Sequence, residues 1–98
     1  MAKVTEKTSK DIDSILEWSL RVWRALPEAA EEIEDWTPAE RLDFLYEWPL
    51  EEQKLAELRE YSERGLMNPV QERRYRTLEQ AVAQNRHLID ELQEHYNS

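Results

Sequence analysis

The chain has no cysteine, one glycine and four prolines among its 98 residues. Without cysteine it has no disulfide framework, no thiolate nucleophile and no cysteine-ligated zinc site. The single glycine, Gly65, excludes glycine-rich phosphate-binding loops and tight β-hairpins. No segment alternates polar and apolar residues over the length of a half-buried strand. The sequence therefore predicts an all-α protein.

Long apolar runs are also absent. No uncharged apolar stretch approaches the roughly 18 residues that a membrane-spanning helix needs. Residues 1–9 lack the apolar core of a secretion signal, so we expect a cytoplasmic protein of a small bacterial type. A chain of this length forms one domain. We predict a disordered tail at residues 1–8 and a single helical domain at residues 9–98.

Acidic side chains are concentrated in one stretch, which we call the acidic segment. Residues 27–53 carry ten acids and one base, Arg41, and so account for the whole formal net charge of −9. The stretches on either side are nearly neutral. Such a segregated charge gives information about binding partners and solubility, and not about the fold. It favours a cationic partner and disfavours nucleic acid.

Capping residues and prolines predict the first helix boundaries. Thr8 and Asp11 have the spacing of a capping box, which predicts a first helix over about residues 9–26. Pro27 then predicts a break or a kink, followed by a short second helix over about residues 27–34.

The next boundaries lie within and after the acidic segment. Thr37 followed by Pro38 predicts the start of a third helix, with Leu42 and Trp48 on its apolar side. Pro49 interrupts it before a fourth helix that ends near residue 64. A kink instead of a break at the prolines would give three helices rather than five, and the sequence leaves this open.

Gly65 is expected to end the fourth helix. A glycine at this position adopts the left-handed conformation of a Schellman cap, with Leu66 making the accompanying apolar contact. Asn68 and Pro69 then cap and open the last helix, over about residues 69–96.

The last helix carries apolar residues at alternating steps of three and four, the pattern of a coiled-coil seam. The seam consists of Tyr75, Leu78, Val82, Asn85, Ile89, Leu92 and Tyr96. We expect Asn85 to fix register or to contact water. The predicted fold has four to five helices, in which residues 38–64 and 69–96 form a long antiparallel hairpin and the N-terminal helix packs on it. Because the seam is long for so short a chain, we also predict a homodimer through the last helix or the first.

The beginning of the acidic segment supplies the candidate partner-binding surface. An exposed tryptophan in an acidic field is a suitable anchor for a basic protein. The candidate residues are Glu28, Glu31, Glu32, Glu34, Asp35 and Trp36. The same charge is equally compatible with a solvated face, or with neutralisation within the chain or a dimer by Arg73, Arg74 and Arg76.

A second group of polar residues lies on the last helix. His87, Glu91 and His95 are spaced by four residues, which places them on one helix face where they can bind a divalent metal. In the heptad frame they fall away from the seam and towards water. We therefore predict neither a metal site nor a cofactor.

No histidine, serine or carboxylate pair stands in a context that indicates catalysis, so we predict a protein that is not an enzyme. The leading hypothesis is an interaction or adaptor module that binds a basic partner through the acidic segment. One alternative is a small acidic antitoxin or inhibitor of a basic toxin or nuclease. Another is a helical bundle that binds a metal or a small ligand. We expect neither a nucleic-acid nor a membrane partner.

Overall fold

The computed structural model describes residues 5–97, and side chains through Glu94. This part of the chain is helical and contains no strand. Helix α1 spans Glu6–Glu32, a 3₁₀ turn spans Ile33–Asp35, α2 spans Pro38–Glu63 and α3 spans Pro69–Asn97. The all-α prediction is confirmed. The prediction of four to five helices is wrong, because neither Pro27 nor Pro49 breaks a helix.

Pro27 lies inside α1, where the sequence predicted a boundary. A proline has no N–H, so the carbonyl of Trp23, four residues earlier, loses its helical donor. Asn85 of α3 replaces that donor, because its Nδ2 donates to the Trp23 carbonyl oxygen at 2.9 Å. Trp23 and Leu26 are also buried in the core. The helix continues because a neighbouring helix supplies the missing hydrogen bond and packing holds it in line.

Pro49 lies inside α2, so the predicted third and fourth helices are one helix. Pro49 removes the helical donor to the Leu45 carbonyl, but it lies at an exposed position of α2. Trp48 and Leu58 are buried, and their packing anchors α2 on both sides of the proline.

Two predicted helix starts are confirmed. Thr37 caps α2, since its hydroxyl oxygen accepts from the Glu40 N–H at 3.2 Å. Asn68 and Gln71 form a reciprocal capping box at the start of α3. The Gln71 N–H donates to the Asn68 side chain at 2.8 Å, and the Asn68 N–H donates to the Gln71 side chain at 2.9 Å.

The predicted start of the first helix is wrong. Thr5, not Thr8, is the N-cap of α1, and its side chain accepts from the Thr8 N–H at 3.0 Å. Glu6 to Thr8, which the sequence placed in a disordered tail, therefore form the first turn of α1. The remainder of that predicted tail, residues 1–4, lies outside the described residues.

The turn between α2 and α3 is the predicted Schellman cap. Gly65 has a φ of +69°. The Leu66 N–H donates to the Tyr61 carbonyl and the Gly65 N–H to the Ser62 carbonyl, both at 3.0 Å. Leu66 is buried, which provides the apolar contact of the motif.

The core lies mainly between α1 and α3, which run parallel to each other, while α2 runs antiparallel to both. Gln71, near the start of α3, donates to the Asp13 carboxylate at 2.9 Å, and Asn85 contacts Trp23 further along both helices. Helix α2 packs on α1, and its contact with α3 is the smaller one. The two segments of the predicted hairpin are therefore antiparallel, but α1 is the main partner of α3. No helix within residues 5–97 is long and apolar enough to cross a membrane.

Candidate partner-binding surface

Five predicted partner-binding carboxylates meet at one end of the molecule, which is 49 Å long. We call this set the acidic end: Glu28, Glu31, Glu32, Glu34 and Asp35. The end of α1 and the 3₁₀ turn carry these side chains, and all of them are exposed. Within the described part of the chain, none of them forms an ion pair.

Arg41, the one base of the acidic segment, binds backbone rather than carboxylates. Its Nε donates to the Ile33 carbonyl at 2.8 Å, and its terminal guanidinium nitrogen donates to the Glu34 carbonyl at 2.9 Å. These carbonyls follow the end of α1, where the helix dipole favours positive charge. Arg41 therefore fixes the turn and leaves the carboxylates of the acidic end available to a partner.

The acidic end is not neutralised within the chain by the basic cluster, by which we mean Arg73, Arg74 and Arg76. Arg73, Arg74 and Arg76 lie near the start of α3, and α3 runs parallel to α1. The cluster and the acidic end are therefore at opposite ends of the molecule. Among the described residues, no ion pair joins them.

Trp36 is half-buried and belongs to a row of aromatic rings. Its ring meets that of Phe44 edge-on at 5.5 Å between centroids. Phe44 lies 5.6 Å from Trp48, which in turn meets Trp23 edge-on at 5.0 Å. The row joins the 3₁₀ turn to the core, so Trp36 anchors the acidic end to the bundle and offers a partner only part of its ring.

The exposed tryptophan is Trp18 of α1, with 47% of its surface accessible. Its indole N–H donates to the Glu51 carboxylate at 3.0 Å. The Lys54 ammonium lies 4.9 Å from the ring centroid, a cation–π distance. Trp18 therefore joins α1 to α2 at their solvent-facing edge.

Helix α2 carries an exposed apolar stripe that was not predicted from the sequence. Leu42, Tyr46 and Leu50 are 46%, 82% and 58% exposed, and steps of four residues place them along one helix face. We call these three residues the outer stripe. The sequence predicted that Leu42 shares a side with Trp48, but Trp48 faces the core at 3% exposure. The available signal was that α2 has apolar residues on two faces, whereas one face suffices for a bundle helix.

The predicted seam of α3 is largely buried against other helices of the same chain. Leu78 and Ile89 are 0% and 3% exposed, and Tyr75 is also buried. Val82, Asn85 and Leu92 are half-buried, whereas the side chain of Tyr96 lies outside the described part. Because α1 covers the most deeply buried seam residues, the seam no longer argues for a homodimer. A homodimer stays a prediction, but it would have to form through a surface other than this seam.

Two of the three candidate metal ligands on α3 have side chains that the structure describes. His87 and Glu91 are exposed, and the side chain of His95 lies outside the described part. Among the residues that the structure describes, no three His, Cys, Asp or Glu side chains could together hold a metal ion.

A groove of about 440 Å³ runs between α2 and α3. Leu55 and Val82 contribute apolar surface, and Glu52 and Arg86 form an ion pair at 2.7 Å across it. Burial raises the pKa of the Tyr75 phenol in this groove. Because both signs of charge line the groove, it shows no electrostatic preference for a charged ligand.

No protein-family model, curated protein or solved structure matches this chain.

Proposed function

We propose that this protein is a non-catalytic interaction module that binds a basic protein through its acidic segment, residues 27–53. The observation that carries the proposal is the acidic end, where five exposed carboxylates have no ion-pair partner among the described residues. Charges of one sign on one surface raise the rate of encounter with an oppositely charged partner and disfavour others.

The position of these carboxylates supports binding over a purely solubilising role. Glu31 and Glu32 lie in the last turn of α1, which contains no base. Helix carbonyls carry partial negative charge there, so each acid lowers stability by about 0.3–1 kcal/mol at low ionic strength. A solubilising charge is effective anywhere on the surface and does not need this position. A cationic partner would remove the repulsion when it binds.

The test is affinity capture from a lysate of the source organism at about 50 mM and about 500 mM salt, since high salt screens exposed charges. The acidic-end variant replaces all five carboxylates by amides. A control variant removes the same amount of charge from exposed positions elsewhere. The control positions are Glu6, Asp11, Glu17, Glu57 and Glu63.

We expect one basic protein at a fixed stoichiometry with the wild-type and control baits, lost at high salt and with the acidic-end variant. Equal capture by the acidic-end and control variants would overturn the proposal, since charge location would then be irrelevant. Capture of no basic protein by any bait would also overturn it.

The identity of a captured partner separates an adaptor from an antitoxin. If the partner is a basic toxin or nuclease, co-expression of this chain should relieve its toxicity. The acidic-end variant should fail to do so, because it lacks the charges that bind the partner.

A further inference from the structure

Helix α2 presents apolar side chains on two opposite faces. Trp48 and Leu58 face the core, at 3% and 0% exposure. The outer stripe of Leu42, Tyr46 and Leu50 faces solvent. A bundle helix covered on one side is ordinarily polar on the other, and a helix with apolar residues all round is ordinarily covered all round. The outer stripe is therefore surface that the fold does not use.

The outer stripe has the form of a helix-binding surface. Its three residues span about 12 Å along α2, the length of two helical turns. A partner helix presents its own apolar residues at matching steps of three and four. Tyr46 is at the centre and 82% exposed, and tyrosine is one of the residue types enriched at the anchoring positions of interfaces.

Charge next to the outer stripe selects the partner. Asp43 and Glu47 are exposed and follow the stripe along one edge of α2. Within the described residues neither forms an ion pair. The acidic end lies directly before this helix in the chain. A second copy would bring these carboxylates against its own, and an anionic membrane would repel them. A cationic helix would pair with them.

We propose that the outer stripe, with Asp43 and Glu47 beside it, is the docking site of a basic amphipathic helix of the partner. This inference rests on the proposed function and adds the partner's secondary structure and the place where it binds. The apolar face of the partner helix packs on Tyr46 and the two leucines, and its lysines or arginines face the carboxylates.

The direct test uses designed peptides of about 18 residues, which is five helical turns. The probe combines a leucine stripe with lysine flanks. One control peptide keeps the stripe but carries glutamate flanks, and a second keeps the lysines but scrambles the stripe. Fluorescence anisotropy measures the binding of each peptide to the full chain.

The stripe variant changes Leu42, Tyr46 and Leu50 to serine, and Tyr46→Ser is tested alone. Val70→Ser is the matched control, because Val70 is an exposed apolar residue of α3 at 55% accessibility. Since all these side chains are exposed, the circular dichroism spectrum should not change. We expect the stripe variant to weaken binding of the leucine–lysine peptide about tenfold or more, and Val70→Ser to leave it unchanged.

Three results would overturn the inference: no binding of the leucine–lysine peptide to the wild type, equal binding to the stripe variant, or equal binding of the glutamate peptide. Sedimentation adds a fourth, a wild-type dimer that the stripe variant converts to monomer, since a second copy would then occupy the stripe. The proposed function and this inference fail under different results. If the stripe variant still captures the basic partner and the acidic-end variant does not, this inference fails and the proposed function stands.

Discussion

At the scale of single residues, Asn85 supplies the hydrogen-bond donor that Pro27 removes from α1. A proline in a helix interior costs about 3 kcal/mol or more, partly because it removes a backbone donor. Here the orphaned Trp23 carbonyl accepts from Asn85 at 2.9 Å. The polar member of an otherwise apolar seam therefore sits where the neighbouring helix lacks a hydrogen bond. The sequence predicted that Asn85 fixes register or contacts water, and the structure shows that its side chain donates to a backbone carbonyl of α1.

This pairing predicts strong coupling between two substitutions. Asn85→Leu should destabilise the wild type by about 1–3 kcal/mol, because it leaves the Trp23 carbonyl without a donor. In a Pro27→Ala background the loss should shrink, because the alanine N–H restores the helical hydrogen bond. A double-mutant cycle in urea measures the coupling free energy, expected at about 1 kcal/mol or more. Additive effects of the two changes would show that the bond contributes nothing.

At the scale of elements, α1 carries charge that opposes its own dipole. Glu31→Gln with Glu32→Gln should raise the free energy of unfolding by about 0.3–1 kcal/mol per site at low salt, because these acids lie at the negative end of the helix. The gain should fall as salt screens the charges. Urea unfolding at two ionic strengths measures both effects.

Glu6→Gln is the control for this prediction, since Glu6 lies in the first turn of α1, where negative charge stabilises the helix. Glu6→Gln should lower the free energy of unfolding, whereas Glu31→Gln with Glu32→Gln should raise it. A loss of stability from both changes would mean that the two glutamates at the end of α1 make favourable contacts instead. If the variant with both glutamates replaced is more stable but no longer binds the partner, the two charges serve binding although they lower the stability of the fold.

At the scale of the whole molecule, α2 is the least integrated helix. Helices α1 and α3 share most of the core, and α2 has only a small contact with α3. Helices with fewer buried contacts open more readily than the rest of a domain. A partner that docks on α2 therefore binds the element whose stability it can raise most.

Hydrogen exchange tests this arrangement. We expect amides of residues 42–50 in α2 to exchange faster than those around Leu78 in α3, and to become protected when the basic partner or the leucine–lysine peptide binds. Amides near Leu78 are the internal reference, because that residue is fully buried between helices. Uniform exchange along α2 and α3 would contradict the difference in packing, and protection confined to α3 would contradict docking on α2.

Local signals were sufficient for the starts of α2 and α3 and for the end of α2, but not for the start of α1, where Thr5 rather than Thr8 is the cap. Thr37 with Pro38, Gly65 with Leu66, and Asn68 at the start of α3 were all identified from the sequence, because caps are local hydrogen-bonding arrangements. Pro27 and Pro49 could not be resolved in the same way. Whether a proline breaks a helix depends on a donor and on packing that come from other parts of the chain.

The sequence by itself determined that this protein is all-α, where α2 and α3 begin, and that its net charge sits in one segment, since composition, caps and charge are properties of the chain read locally. Only the tertiary structure decided that residues 5–97 form three α-helices and that α1, rather than α2, is the main partner of α3. It also decided that Leu42, Tyr46 and Leu50 face solvent. The physical reason is that α2 is apolar on two faces, so its own periodicity cannot select the buried face, and that selection comes from packing against α1.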